Sequence, residues 1–378
     1  VKRPLVKDND PNDKGDFDHY MLKEIYEQSS TIATTVSALT QQDEDDIAIT
    51  FSDKPFSLKG IPHITIVACG TSYYAGMAAR QWFEQVARIP TSVDVASEFR
   101  YRKPILTEGG VALFISQSGE TADTLAAMRY CQSVGQHTLA LVNVEESSMA
   151  IEADGYMLTR AGTEIGVAST KAFTAQLVAL ASLSITFARE NGIMDNETHR
   201  ELIHALGTAS TITEEALSLD KRTKEIAKDI HTASDMLFIG RGTSYAIACE
   251  GALKMKEISY IHAEAYAAGE LKHGPLALID ENVPVIAVAP HDELFEKTAS
   301  NIQEVAARGG RIIVLSNKEG CKTLSGISES CITVPDCHPL IAPIIYTIPL
   351  QLLSYHTAVL KETDVDQPRN LAKSVTVE

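Results

Sequence analysis

The feature that most limits what this chain can fold into is that it repeats itself. Ile66-Val-Ala-Cys-Gly-Thr-Ser72 returns as Leu237-Phe-Ile-Gly-Arg-Gly-Thr-Ser244, shifted by 172 positions. Ser133-Val-Gly-Gln-His-Thr-Leu-Ala-Leu-Val-Asn143 returns as Ala307-Arg-Gly-Gly-Arg-Ile-Ile-Val-Leu-Ser-Asn317, shifted by 174. Two matches in one order at nearly one offset imply two copies of a single plan. In the first copy Ile64–Cys69, Thr91–Val95, Val111–Ile115 and Thr138–Val142 read as strands, with helices expected over Tyr73–Ala87 and Ala122–Val134. Short, wholly apolar strands alternating with helices belong to parallel sheets covered on both faces. The expected fold is α/β: two tandem, doubly wound parallel-sheet subdomains, joined by a helical stretch from about Thr170 to Ala233. Residues 1–16, polar and aperiodic, read as a linker remnant. Residues 17–58 read as a helical segment, 59–200 and 201–362 as the two subdomains, and 363–378 as a tail.

Charge narrows the partners. The net charge is −17 and the pI about 5.1, which argues against a nucleic-acid or acidic-membrane surface. An anionic ligand would have to be held by local dipoles. The six cysteines show no C-x-x-C spacing and suit reduced, buried thiols of a cytosolic protein. The first residues contain no apolar h-region of a signal peptide. The apolar helix around Thr174–Ala188 is too short to span a bilayer and reads as a core helix. Spacings such as H-E-x-x-H are absent, so no metal is expected in the chemistry.

Five stretches are candidates for chemistry. Ser116-Gln117-Ser118-Gly119-Glu120-Thr121 lies between a strand and a helix, where open α/β sheets bind ligands. Its glycine permits close approach, and the helix N-terminus adds unpaired N–H groups and a positive dipole end. This describes a phosphate cradle without a lysine. Helix capping explains one of its hydroxyls but not three. At the aligned place the second copy has Pro290-His-Asp-Glu-Leu-Phe295, so the hydroxyl-rich loop occurs once. Ser72 ends a strand at the same sheet edge. Gly162-Thr-Glu-Ile-Gly-Val-Ala-Ser-Thr-Lys171 reads by itself as a loop with a helix cap. The second Gly-Thr-Ser turn opens a helix expected to run to about Gly269, with Glu250, Lys254 and Glu257 on one stripe and Lys272-His273-Gly274-Pro275 beyond it. Such stripes are most often solvated faces, but two carboxylates, a lysine and a histidine also suffice for acid–base work. The tail, Asp364 to Glu378, presents Lys373 from a backbone that Leu371, Val375 and Val377 could pin down.

Together these residues resemble the sugar isomerase (SIS) domains, which bind phosphosugars. Glu-Ile-Gly-Val-Ala-Ser-Thr-Lys171, Glu-Leu-Lys-His-Gly-Pro275 and Asp-Gln-Pro-Arg-Asn-Leu-Ala-Lys-Ser-Val-Thr-Val-Glu378 look like one branch, the isomerizing, glutamine-dependent aminotransferases of hexose phosphates. The resemblance implies two flavodoxin-like SIS subdomains that turn fructose 6-phosphate and glutamine-derived ammonia into glucosamine 6-phosphate. It implies that Ser72, Ser116, Gln117, Ser118 and Thr121 hold the phosphate, and that Val167, Ser169 and Ala372 line the site. Lys373 would form an imine at C2 and Glu257 would move the proton between C1 and C2. Lys254 and Glu250 would support it, and His273, supplied by the other subunit of a homodimer, would assist ring opening. No cysteine precedes Cys69, so the family's upstream glutaminase domain, with its leading cysteine, is expected to lie outside this chain. The resemblance also leaves room for an SIS amino-sugar-phosphate deaminase or isomerase, or a phosphosugar sensor.

Overall fold

A computed structural model of the chain describes residues 13–43, 46–49 and 56–376. Most of the expected linker remnant, and Val377, lie outside the described residues. Helices α1 (Tyr20–Tyr26) and α2 (Gln28–Leu39) lead into an antiparallel hairpin, β1 (Thr40–Asp43) and β2 (Asp46–Ile49). The segment expected to be helical thus also contains strands.

The first α/β run is β3 (Ile64–Ala68), α3 (Gly70–Gln85), β4 (Thr91–Val95), α4 (Ala96–Arg102) and β5 (Val111–Ser116). It continues through α5 (Ala122–Ser133), β6 (His137–Val142), α6 (Ser148–Glu152) and β7 (Gly155–Leu158). Three helices follow: α7 (Lys171–Glu190), α8 (Asn196–Leu217) and α9 (Asp220–Ile230). The second run is β8 (Asp235–Gly240), α10 (Thr243–Ser259), β9 (His262–Ala267), two short 3-10 turns, β10 (Pro284–Val288) and α11 (Phe295–Ala306). It closes with β11 (Arg311–Ser316), α12 (Lys318–Leu324), β12 (Ser330–Thr333) and α13 (Ala342–Leu360).

Both runs build the same sheet. The strand orders are β4-β3-β5-β6-β7 and β9-β8-β10-β11-β12, every pairing parallel. In each, the second strand lies at an edge and the order reverses between the first and third, the flavodoxin-like arrangement. The repeat seen in the sequence is therefore a repeat of topology. The sheets belong to two compact units. One gathers the residues up to Ser29, Ile165–Thr170 and Thr211–Leu371. The other gathers Ser30–Glu164, Lys171–Ser210 and the tail from Ala372.

In the β3–β7 unit, β3 and β5 are buried along their whole length, as continuous apolar runs require. Val67, Phe114, Met128 and Leu158 form the core on one face. On the other face α3 packs against α7, with Phe83 edge-on to Phe187 at 5.8 Å. Gly76 lets α3 approach, since a Cβ there would stand 2.8 Å from Ile66 Cγ2. Helix α7 is longer than expected, and by length and composition alone could cross a membrane. Instead 94% of its apolar window is buried, so it is a core helix, as expected. In the β8–β12 unit, Ile239, Val285, Phe295, Ile302 and Val314 make the core on one side. Helices α9, α10 and α13 pack together in the same unit.

Three local expectations need correction. Helix α10 stops at Ser259 rather than near Gly269, because Tyr260 takes a left-handed conformation (φ 60°). His262-Ala-Glu-Ala-Tyr-Ala267 then pairs with β8 as strand β9, so sheet pairing overrides helical composition. The helix before the tail, expected over Pro349–Lys361, is α13, which starts at Ala342 and carries Pro349 inside it, where packing on every side outweighs the lost hydrogen bond. Cys321 on α12 and Cys331 on β12 form a disulfide, with Cα atoms 6.0 Å apart, whereas all six thiols had been expected reduced. Cys69, Cys131, Cys249 and Cys337 are free.

Candidate functional site

The Ser116–Thr121 loop leaves the C-terminal end of β5, beside the point where the strand order reverses. Ser116 is buried; its Oγ accepts the N–H of Gly119 at 3.0 Å and lies 3.0 Å from Thr121 Oγ1. Ser118 Oγ accepts the N–H of Glu120 at 3.2 Å. Gln117 is anchored through its carbonyl, which accepts from Asn143 N at 3.0 Å, and Gly119 through its own, which accepts from Met149 N at 3.1 Å. The Glu120 carboxylate accepts from the N–H and hydroxyl of Ser148 at 2.6 and 2.8 Å. Gly119 is left-handed (φ 68°), and a Cβ there would fall 2.1 Å from Ser147 Oγ.

The loop is thus held from outside while its inner N–H groups stay open. Thr121 is the N-cap of α5, yet no side chain caps that helix. Among the described residues no partner takes the N–H of Gln117, Ser118 or Thr121. Thr121 does not cap α5 with its side chain, so capping does not account for the loop's hydroxyls. Ser72, in the first turn of α3 at the end of β3, accepts a 3.0 Å hydrogen bond from Gln176 Nε2.

The tail reaches this loop. Ser374 Oγ donates to Ser118 Oγ at 3.1 Å, and the Val375 carbonyl accepts the N–H of Ala122 at 3.1 Å. Lys373 Nζ is bonded to Glu164 Oε2, whose carboxylate is fully buried and also accepts Ala172 N–H at 3.0 Å. Polar contacts therefore pin the tail. Leu371 and Val375, expected to do so by burial, are 47% and 56% exposed. Ala372 is exposed too. Glu164 and Ser374 are additions to the residues that the sequence singled out. Glu164 lies inside the Gly162–Lys171 stretch, but nothing local in that stretch shows that its partner is Lys373.

In the β8–β12 unit the stripe on α10 is not a solvated face. Glu250 and Lys254 are each 1% exposed, and Glu257 is 22% exposed in its side chain. Lys254 Nζ lies 2.6 Å from Glu257 Oε2 and 3.4 Å from Glu250 Oε1, one cation between two carboxylates. A buried lysine is retained only with such partners. His273 is exposed at the end of a 3-10 turn (Ala268–His273), and its ring makes no hydrogen bond or ion pair among the described residues. Val167 and Ser169 lie in Ile165–Thr170, where Val167 N–H donates to the Asp366 carbonyl at 3.0 Å and Gly166 N–H to Glu24 Oε1 at 3.2 Å. Asp366 also accepts the N–H groups of Tyr20 and Met21 at 2.9 and 2.8 Å, at the start of α1. No cluster of potential metal ligands occurs among the described residues.

Two copies of this sheet, one with a hydroxyl-rich loop at its switch point, define a tandem, doubly wound α/β class. The SIS-domain profile matches residues 57–186 and 229–361, one match over each sheet, and the chain belongs to the SIS-domain family. Within that family it is similar to the C-terminal domain of glucosamine-fructose-6-phosphate aminotransferase from Francisella tularensis. Identity is 46% and the TM-score 0.89, over 94% of this chain and 100% of that one. It is 52% identical to the isomerizing glutamine–fructose-6-phosphate aminotransferase of Zymomonas mobilis, over all of this chain and 62% of that relative. The chain spans about three fifths of the length of the curated relatives it matches. Glucosamine-6-phosphate deaminase from Thermotoga maritima, at 24% identity and a TM-score of 0.75 over 94% of this chain and 99% of that one, shares the fold.

Proposed function

We propose that this chain performs the sugar-phosphate half of an isomerizing aminotransferase: it takes fructose 6-phosphate, holds it as an imine and shifts a proton to give glucosamine 6-phosphate with ammonia drawn from glutamine. The observation that carries this reading is the amine beside the cradle. Within one unit the tail binds the Ser118 loop through Ser374, and the next residue back, Lys373, meets a buried carboxylate. A phosphate in the cradle would accept the open N–H groups of Gln117, Ser118 and Thr121, with Ser72, Ser116 and Ser118 as hydroxyl donors. Binding there leaves Lys373 close to the sugar.

Neutral Lys373 attacks C2, and loss of water gives a protonated imine. That imine withdraws electrons from C1, so one carboxylate suffices to move the proton between C1 and C2. We assign this work to Glu257, which is the more exposed carboxylate of its triad, with Lys254 and Glu250 holding it in place. His273, exposed on its turn, is assigned to ring opening in a neighbouring subunit of a homodimer, and Val167, Ser169 and Ala372 to the site wall. Ammonia would come from a glutaminase domain, and the protein would work in the cytoplasm without metal or cofactor.

Borohydride tests the reading. Treatment in the presence of fructose 6-phosphate should reduce the imine and add a hexitol phosphate to the peptide bearing Lys373, read by mass spectrometry. Labelling that persists in Lys373→Arg, or that maps to Lys254, overturns it.

A further inference from the structure

We propose that Glu164 is the proton acceptor that makes Lys373 a nucleophile. The inference rests on the reading of Lys373 as the imine-forming residue and adds to it the group that activates it. An ammonium has no lone pair with which to attack a carbonyl, and lysine ordinarily loses its proton only near pH 10.4. Lys373 is bonded to Oε2 of a carboxylate that is fully buried, while Oε1 is fixed by the N–H of Ala172 at the head of α7. The carboxylate is fully buried, and burial penalises its charged form, which favours its accepting a proton from the lysine bonded to it.

The step balances. The Nζ–H bond breaks and an Oε2–H bond forms, leaving a neutral amine and a carboxylic acid. The amine adds to C2 to give a carbinolamine. Glu164 then returns the proton to the departing hydroxyl, water leaves, and the protonated imine stands beside a regenerated carboxylate. Other charged groups stand on the elements that meet here, within this unit. Lys171, at the first position of α7, is buried, with its Nζ 4.0 Å from where a Cβ on Gly162 would stand. Arg160 pairs with Glu145 at 3.4 Å, and Glu120 is taken up by Ser148.

The pH profile of borohydride trapping distinguishes this from unassisted attack. When the proton stays within the pair, reactive and resting states hold the same number of protons. The parent's trapping rate with saturating fructose 6-phosphate should then be level from pH 6 to 9. An unassisted lysine would instead trap about tenfold faster for each added pH unit below its pKa. Glu164→Gln keeps the shape and an oxygen for Ala172 N–H, but should trap about 10²-fold more slowly at pH 7 and regain rate as the pH rises. A parent rate that climbs tenfold per unit overturns the proposal without any variant. So does a Glu164→Gln rate equal to or above the parent's. A parent that traps no sugar at all refutes the imine reading instead, so the two failures are distinguishable.

Discussion

Replacing Glu257 by glutamine separates a catalytic carboxylate from a structural one, because the triad lets the two costs be worked out in advance. Glu257 Oε2 lies 2.6 Å from Lys254 Nζ, and Glu250 Oε1 stands 3.4 Å away on the other side. In Glu257→Gln the amide oxygen can still accept from Lys254, and Glu250 still neutralises it. The folded state should lose only about 1 kcal/mol, the difference between a charged and a neutral acceptor. Lys254→Met is the contrast, since it leaves Glu250 buried without its cation and should cost about 3–5 kcal/mol. Urea unfolding of the two variants measures both. The chemical cost runs the other way: loss of a general base slows proton transfer by about 10²–10⁴-fold. In deuterated water with fructose 6-phosphate, Glu257→Gln should still form the trappable imine at Lys373, while exchange of the C1 proton nearly stops. Exchange at the parent rate would place the base elsewhere. Unfolding of Glu257→Gln as severe as that of Lys254→Met would show that its carboxylate serves the fold.

Three further outcomes follow from the geometry. Gly119→Ala must place a Cβ 2.1 Å from Ser147 Oγ at φ 68°; it should destabilise the fold by about 2–3 kcal/mol in denaturant unfolding and weaken fructose 6-phosphate binding, and stability within 0.5 kcal/mol of the parent's would contradict the cradle geometry. Ser118→Ala removes a hydroxyl that meets both the tail and the proposed phosphate; calorimetry should show affinity for fructose 6-phosphate lowered by about 1–3 kcal/mol, with equal affinity of the parent for fructose and its phosphate counting against the assignment. Alkylation of the denatured chain should label the four free cysteines without reductant and all six with it, and six labels without reductant would exclude the Cys321–Cys331 bond.

What the sequence made legible was set by how local each signal is. Strands β3, β5, β8 and β11 are continuous apolar runs, and the near-constant offset between copies carried the topology with them. Strand β9 was lost because Ala, Glu and Tyr at those positions read as helix, and only pairing with β8 makes them a strand. The left-handed Tyr260 that ends α10 has a distant cause as well. Its ring carries the Arg369 guanidinium at 4.2 Å, and its hydroxyl accepts the Arg369 N–H at 2.9 Å. Burial of Glu250 and Lys254 is equally non-local, because the same i, i+4 spacing serves a solvated face. The Glu164–Lys373 pair joins residues 209 positions apart, a separation at which no periodicity speaks.

The two copies also differ in what the loop at the switch point offers a proposed anion. At the switch point of the second sheet the loop begins at Pro290, which has no N–H to offer. Several of the following groups are spent on the loop itself: Asp292 N donates to the Pro290 carbonyl at 2.9 Å, and Phe295 N to the Asp292 carbonyl at 3.0 Å. Leu294 N–H goes to the Asp292 carboxylate at 2.9 Å. That carboxylate, with Glu293 beside it, would repel a phosphate. Arg241, the nearby cation, is turned to Asn301 Oδ1 at 2.8 Å. In the first sheet the N–H groups of Ser118 and Thr121, which correspond to Asp292 and Phe295, stay open among the described residues, and the carboxylate of Glu120 is drawn aside by Ser148. The fold is shared, so anion binding in one copy depends on which way the loop spends its donors.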